Sequence, residues 1–172
     1  YSNDFTNAAN AKSPFHDKSD SWAPDVLKGT VNETVDTGTD VHLIQPASCW
    51  TPWWLSDVYS MQEHYDWHYS YTGSYPARAE HEYLLGGYDP VKLFMDYTKH
   101  KGLEPFFSFR LNDGHHVEYA FDPETIVTHT SRFYTEHPEY QISEGQYDIY
   151  SRLQWLHDWS IPEARLYKIS LL

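Results

Sequence analysis

Apolar residues in this chain fall into short, separated patterns rather than one continuous period. Residues 1–30 are rich in Asn, Asp, Ser, Lys and Pro with no sustained apolar repeat, and are read as an N-terminal arm that buries no element. The first strand signal is Val41-His42-Leu43-Ile44, entered through the turn-rich Asp36-Thr37-Gly38-Thr39-Asp40 and left at Pro46. Residues 47–87 have weak periodicity and are expected to form a long aromatic loop after that strand. A helix is then predicted: Asp89 is a good N-cap, Pro90 suits the first turn, Val91, Phe94, Met95 and Thr98 share one face, and Gly102 supplies a left-handed stop. Residues 103–111 follow as a buried strand bounded by Asn112-Asp113-Gly114.

Residues 130–138 suit a short helix, and Arg152-Leu153-Gln154-Trp155-Leu156-His157 reads as a third strand. Ser160-Ile161-Pro162-Glu163 combines an N-cap, an N-terminal proline and a capping-box glutamate, with Leu166, Ile169 and Leu172 as the apolar face of the helix it opens. That helix is still running at Leu172, so the chain is expected to stop inside a repeating strand–helix pattern. Strands separated by crossover helices imply an α/β fold with a parallel sheet, either open and doubly wound or the N-terminal portion of a (β/α)8 barrel. On this reading residues 31–172 are the first strand–helix units of the domain. No glycine-rich phosphate loop follows the first strand, which weighs against a dinucleotide fold.

Composition narrows the function classes. With 25 Asp plus Glu against 12 Lys plus Arg the formal charge is −13, so a nucleic acid or an anionic membrane surface is a poor partner. No apolar run approaches the roughly 20 residues that cross a bilayer. The chain starts at Tyr1 with neither an initiator methionine nor an apolar signal core, and is read as processed or truncated. The lone Cys49 excludes an internal disulfide framework and is expected to be a packed thiol. Aromatic residues make up 17% of the chain, a surplus suited to stacking on sugar rings or to anchoring protein contacts. Asp36-Thr37-Gly38-Thr39 matches the short motif of aspartic proteases, but in an α/β pattern it reads as a turn into the first strand. His64 and His68 have the spacing that sets two imidazoles on one helical turn; with Glu63 ahead of them and no third ligand marked, no metal or other cofactor is expected.

Tyr75-Pro76-Ala77-Arg78, Gly102-Leu103-Glu104-Pro105-Phe106-Phe107-Ser108-Phe109-Arg110-Leu111-Asn112-Asp113-Gly114-His115, Glu136-His137-Pro138-Glu139 and Leu156-His157-Asp158-Trp159-Ser160-Ile161-Pro162-Glu163-Ala164-Arg165 occur in an order that resembles a family of often secreted, glycoside-hydrolase-like (β/α)8 barrels. The resemblance spans residues 35–172. It implies a secreted or periplasmic carbohydrate-active protein, a glycoside hydrolase in its complete form. It also implies that the helix opened at Pro162 leads to a fourth strand carrying further acidic residues, beyond this chain.

Candidate chemistry collects at the predicted strand ends. Arg110, Asn112, His115 and His116 could grip sugar hydroxyls, with Asp113 available for acid–base work; the bland alternative is an Asx turn. His157 and Trp159 would add a hydrogen bond and a stacking ring, and Asp158 a second carboxylate, unless it merely caps the next helix. Trp50 heads the aromatic series Trp53, Trp54, Tyr59, Tyr65, Trp67, Tyr69, Tyr71 and Tyr75, as a stacking platform or as part of a loop core. Two functions therefore stand: a glycoside hydrolase in which Asp113 and Asp158 are the best-placed carboxylates of this chain and the proton donor or nucleophile lies beyond Leu172, or a non-catalytic, aromatic-rich carbohydrate-binding or assembly protein. A partial barrel exposes sheet edges, so self-association or a companion chain is expected with either.

Overall fold

Val41–Gln45 (β2) is the middle strand of a three-stranded sheet, and its alternation explains why. His42 and Ile44 point into the interior and are fully buried, while Val41 and Leu43 are half-buried. On one side β2 pairs in parallel with Ser2–Asp4 (β1), Leu43 opposite Ser2; on the other it pairs in parallel with Glu104–Phe107 (β5), Leu43 opposite Phe106. The structure is a computed structural model and describes residues 1–5, 24–48, 50–76, 78–142 and 156–172. Cys49 and most of the third predicted strand, residues 152–155, lie outside the described residues.

Among the described residues six helices accompany the strands, and of these the one directly before β5 packs on it, giving a parallel sheet part of the cover it needs. They are Pro24–Asn32 (α1), Met61–Thr72 (α2), Ala79–Leu85 (α3), Pro90–His100 (α4), Arg132–Glu136 (α5) and Pro162–Ser170 (α6). Between β2 and α2, Ala47–Ser48 (β3) and Thr51–Pro52 (β4) form a two-stranded sheet. Among the described residues no helix is long and apolar enough to cross a membrane.

Two compact units emerge. The first comprises Tyr1–Ala47, Trp53–Leu55 and Ala77–Phe109, and holds the sheet with α1, α3 and α4. α1 packs on α4, and Phe94, Leu27, Val31 and Ile44 form its interior with Phe5 against Trp53. His42 belongs to this core, flanked edge-on by Tyr1 at 4.8 Å and Phe94 at 5.0 Å. The second comprises Ser48–Pro52, Ser56–Pro76 and Arg110–Leu172, built on α2, α5 and α6 around Trp50, Val117, Ala120, Phe133 and Tyr134.

The α4 helix follows its sequence signals. Asp89 accepts from the Lys92 N–H at 2.9 Å, Pro90 opens the helix, Phe94 and Thr98 are buried, and Gly102 takes φ 81° beyond it. The other Asp89 oxygen accepts from the Leu55 N–H at 3.3 Å, so Asp89→Ala should cost about 1 kcal/mol through the cap, with Asp89→Ser retaining part of it. Thermal unfolding of the two variants checks this. Asp36-Thr37-Gly38 is the turn expected, with Asp36 at φ 61°, Gly38 at φ 85° and the Thr37 hydroxyl on the Thr34 carbonyl.

Several expectations are corrected. The supposed arm contributes β1, the buried Phe5 and α1, because the Tyr1 ammonium and the β1 backbone bind the open edge of β2 and α1 buries Val26, Leu27 and Val31. The expected long loop contains α2 and α3. α2 is closed at its start by a Ser60–Glu63 capping box and at its end by Gly73 at φ 75°. The strand predicted over 103–111 is shorter: β5 stops at Phe107, and Phe106 and Phe107 are exposed. At His157 the chain makes an isolated antiparallel bridge to Gln141 rather than a parallel strand end. In α6 the expected apolar face is turned out, with Leu166, Ile169 and Leu172 exposed and Ala164, Lys168 and Leu171 buried. Its N-cap is Ile161 and makes no side-chain cap, so Ser160 does not play the expected role.

Candidate functional site

All nine residues singled out as site candidates belong to the second unit, and the structure sorts them by depth. Arg110 and His115 are exposed, Asn112, His116, Asp158 and Trp159 are half-buried, and Asp113, Trp50 and His157 are buried.

The outermost group is an Asx turn. The Asp113 carboxylate, 4% exposed, accepts from the His115 backbone N–H at 3.2 Å and from the His115 ring at 2.5 Å through the same Oδ1. The Arg110 Nη1 stands 3.3 Å from His115 Nδ1. The turn is fixed from beneath by the Tyr134 hydroxyl, which donates to the Asp113 carbonyl at 2.7 Å. Gly114 fits here through close approach: a Cβ at that position would lie 2.5 Å from Leu156 Cδ2. His116 then takes the left-handed conformation at φ 61°, with its ring 6.4 Å from the exposed Tyr119 and 5.8 Å from the buried His129. Arg110, His115 and the buried Asp113 are thus linked in one polar group, with the His116 ring 6.3 Å from that of His115.

The remaining candidates do different work. Asn112 donates to the His157 carbonyl at 3.3 Å and so ties the turn to the interior. Trp50 and His157 are corrected as ligand contacts: both are fully buried, Trp50 ringed by Phe133, Tyr134, Trp159 and Tyr167, and His157 stacked on Tyr134 at 4.3 Å and tilted on Trp50 at 4.2 Å. Burial, with Lys168 and His137 adding repulsion, pushes the His157 imidazole down to about 3, so it is neutral. Trp159 lies half-buried against Trp50, and its carbonyl accepts from Arg165.

Asp158 serves as a turn cap, the bland alternative of the sequence. Its carboxylate accepts from the Ser160 N–H at 2.8 Å, and the Ser160 side chain and backbone hold it below the usual carboxylate range. A carboxyl stabilised as the anion is a poor proton donor. Asp113 is likewise corrected as a direct acid–base group: its side chain is buried and its Oδ1 is bonded to the exposed His115 ring.

The Glu63, His64 and His68 set is committed to structure. Glu63 accepts from the Ser60 N–H, His64 bonds the Thr128 carbonyl at 2.6 Å and the Tyr59 hydroxyl at 2.8 Å, and His68 Nδ1 lies 3.0 Å from the Ser74 carbonyl. Among the described residues no three His, Cys, Asp or Glu side chains are grouped to hold a metal.

Sequence reasoning missed Tyr134, which locks the Asp113 turn, and Lys168, whose ammonium lies 4.4 Å over the Trp50 ring in the interior. No local signal marks Tyr134. Lys168 sits at a position whose polar character argued for exposure. No known protein family model and no curated protein matches this chain.

Proposed function

We propose that this chain is part of a glycoside-hydrolase-like (β/α)8 protein, secreted or periplasmic, and that the Arg110–His115 cluster binds carbohydrate. The observation that carries the reading is the cluster itself: an imidazole held by a buried carboxylate stands at the surface with a guanidinium 3.3 Å from its ring. Several directional donors and acceptors fixed close together match the closely spaced hydroxyls of a sugar ring. The exposed Tyr119 beside His116 offers a flat face of the kind on which a pyranose stacks.

The barrel reading draws support from strand order. Among the described residues β1, β2 and β5 lie side by side in chain order with no reversal, and α1 and α4 pack beside one another. Arg110 follows β5 by three residues, the loop position from which barrel sites are built.

Binding rather than hydrolysis is the part assigned to these residues, because Asp113 and Asp158 each close an Asx turn. Affinity electrophoresis against a panel of soluble polysaccharides tests the proposal. At least one glycan should retard the protein, and Arg110→Ala should weaken its retention roughly tenfold to a hundredfold, the loss of a charge-assisted hydrogen bond. Failure to retain any glycan refutes the reading. Reducing ends that are released by the wild type and survive both Asp113→Asn and Asp158→Asn would assign hydrolysis to other carboxylates.

A further inference from the structure

A carboxylate oxygen and an imidazole nitrogen cannot face each other at 2.5 Å with lone pair against lone pair, so a proton lies between Asp113 Oδ1 and His115 Nδ1. The same Oδ1 accepts the His115 backbone N–H at 3.2 Å, the role of a carboxylate acceptor, so the ring is the donor and carries that proton. Nδ1 then has no acceptor lone pair for Arg110, and the 3.3 Å approach of the guanidinium is a packing contact. Asp113 is in turn rigid: it is buried, its Oδ1 is held by the His115 backbone N–H, and its carbonyl is held by Tyr134.

We infer that His115 is the proton-accepting residue of this cluster, fixed by Asp113 as the Nδ1–H tautomer so that Nε2 is the atom that accepts from a ligand hydroxyl. With 56% of its side chain exposed, the ring is within reach of such a group. A carboxylate–imidazole pair of this kind orients the ring and stabilises the positive charge that forms when Nε2 takes up a proton. Asp113 is the positioning residue and acts only through His115. The inference deepens the carbohydrate reading and rests on it for the nature of the hydroxyl, while the tautomer itself does not depend on any ligand.

Long-range 1H–15N correlation spectra of the full chain at pH 8, with His115 assigned by loss of its signals in His115→Phe, decide the matter. The wild type should show the Nδ1–H pattern; an Nε2–H pattern or an even mixture overturns the inference. Asp113→Ala, with near-UV circular dichroism confirming that it folds, should shift His115 towards Nε2–H, and an unchanged tautomer in that folded variant removes Asp113 from its role. With a polysaccharide retained by the wild type, His115→Phe should weaken retention at least tenfold, and unchanged retention contradicts the acceptor role. If no polysaccharide is retained, the carbohydrate reading fails and the tautomer result still decides for or against the Asp113–His115 pair.

Discussion

Trp50→Ala should destabilise the second unit by about 3–5 kcal/mol, as a buried tryptophan at the centre of a core does. The indole is fully buried, stacks on Phe133 at 5.5 Å and Tyr167 at 6.3 Å, and carries the Lys168 ammonium over its face at 4.4 Å. Removing it both opens a cavity and takes from a buried cation a contact worth about 2 kcal/mol when desolvated. A second cost is already present: Trp50 holds φ 65°, a left-handed conformation that costs a bulky residue on the order of 1–2 kcal/mol and persists only because the surrounding rings over-determine it. Combining Trp50→Ala with Lys168→Met should therefore cost less than the two changes separately, since the double variant leaves no buried ammonium facing a void. Urea unfolding of the three variants measures this. A loss below about 1 kcal/mol for Trp50→Ala would show that the aromatic cluster does not hold the unit together.

Local chemistry was legible wherever it was strong. The Asp89-Pro90 start and Gly102 stop of α4, the apolar alternation of β2 and the Asx turn at Asp113 each depend on a few neighbouring residues, and each appears where the sequence put it. Ser60 and Glu63 carry an equally specific capping-box signal, and Gly73 an equally clear stop, yet α2 was hidden because its rings lie all around the helix: Tyr65 is buried, Trp67 and Tyr71 are half-buried and Tyr69 is exposed. β1 was unreadable for a different reason. Ser2-Asn3-Asp4 has no strand propensity of its own and is recruited by the open backbone edge of β2, a tertiary effect. The orientation of α6 is also tertiary, since only the aromatic cage around Trp50 makes Lys168 an inward residue and leaves Leu166 outside. The site shows the same division. Its polar surface group was visible as residue types in one loop, whereas the depth of Trp50 and His157 depends on partners distant in sequence, such as Phe133 and Tyr134.

Acidification should unfold the protein well above the pH at which its carboxylates titrate, and neutral buried histidines are the cause. Burial pushes His64 and His42 down to about 4 and His157 down to about 3. In neutral His64 the Nε2–H donates to Thr128 and Nδ1 accepts from Tyr59; burial outweighs the Thr128 bond, which opposes the shift. In the unfolded chain each imidazole titrates near 6.5. Between that value and the folded one the unfolded state binds the extra proton, so stability is complete above pH 6.5 and falls as the pH drops towards 4 for His64 and His42, and towards 3 for His157. At pH 5 the loss is about 2 kcal/mol for each histidine, and the second unit, which holds both His64 and His157, loses twice what His42 takes from the first. Glu63, Glu139 and Asp158, all held below the usual carboxylate range, act in the same direction but only at lower pH. His157 allows a clean test because neither of its ring nitrogens has a hydrogen-bond partner among the described residues, so His157→Phe sacrifices no bond to them and leaves the Asn112 contact to the backbone carbonyl available. Urea unfolding at pH 8 should find this variant close to the wild type, and at pH 5 more stable than it by about 2 kcal/mol. If instead the two proteins lose the same stability between those pH values, His157 already carries its proton in the folded state and the aromatic cage accommodates a second cation beside Lys168.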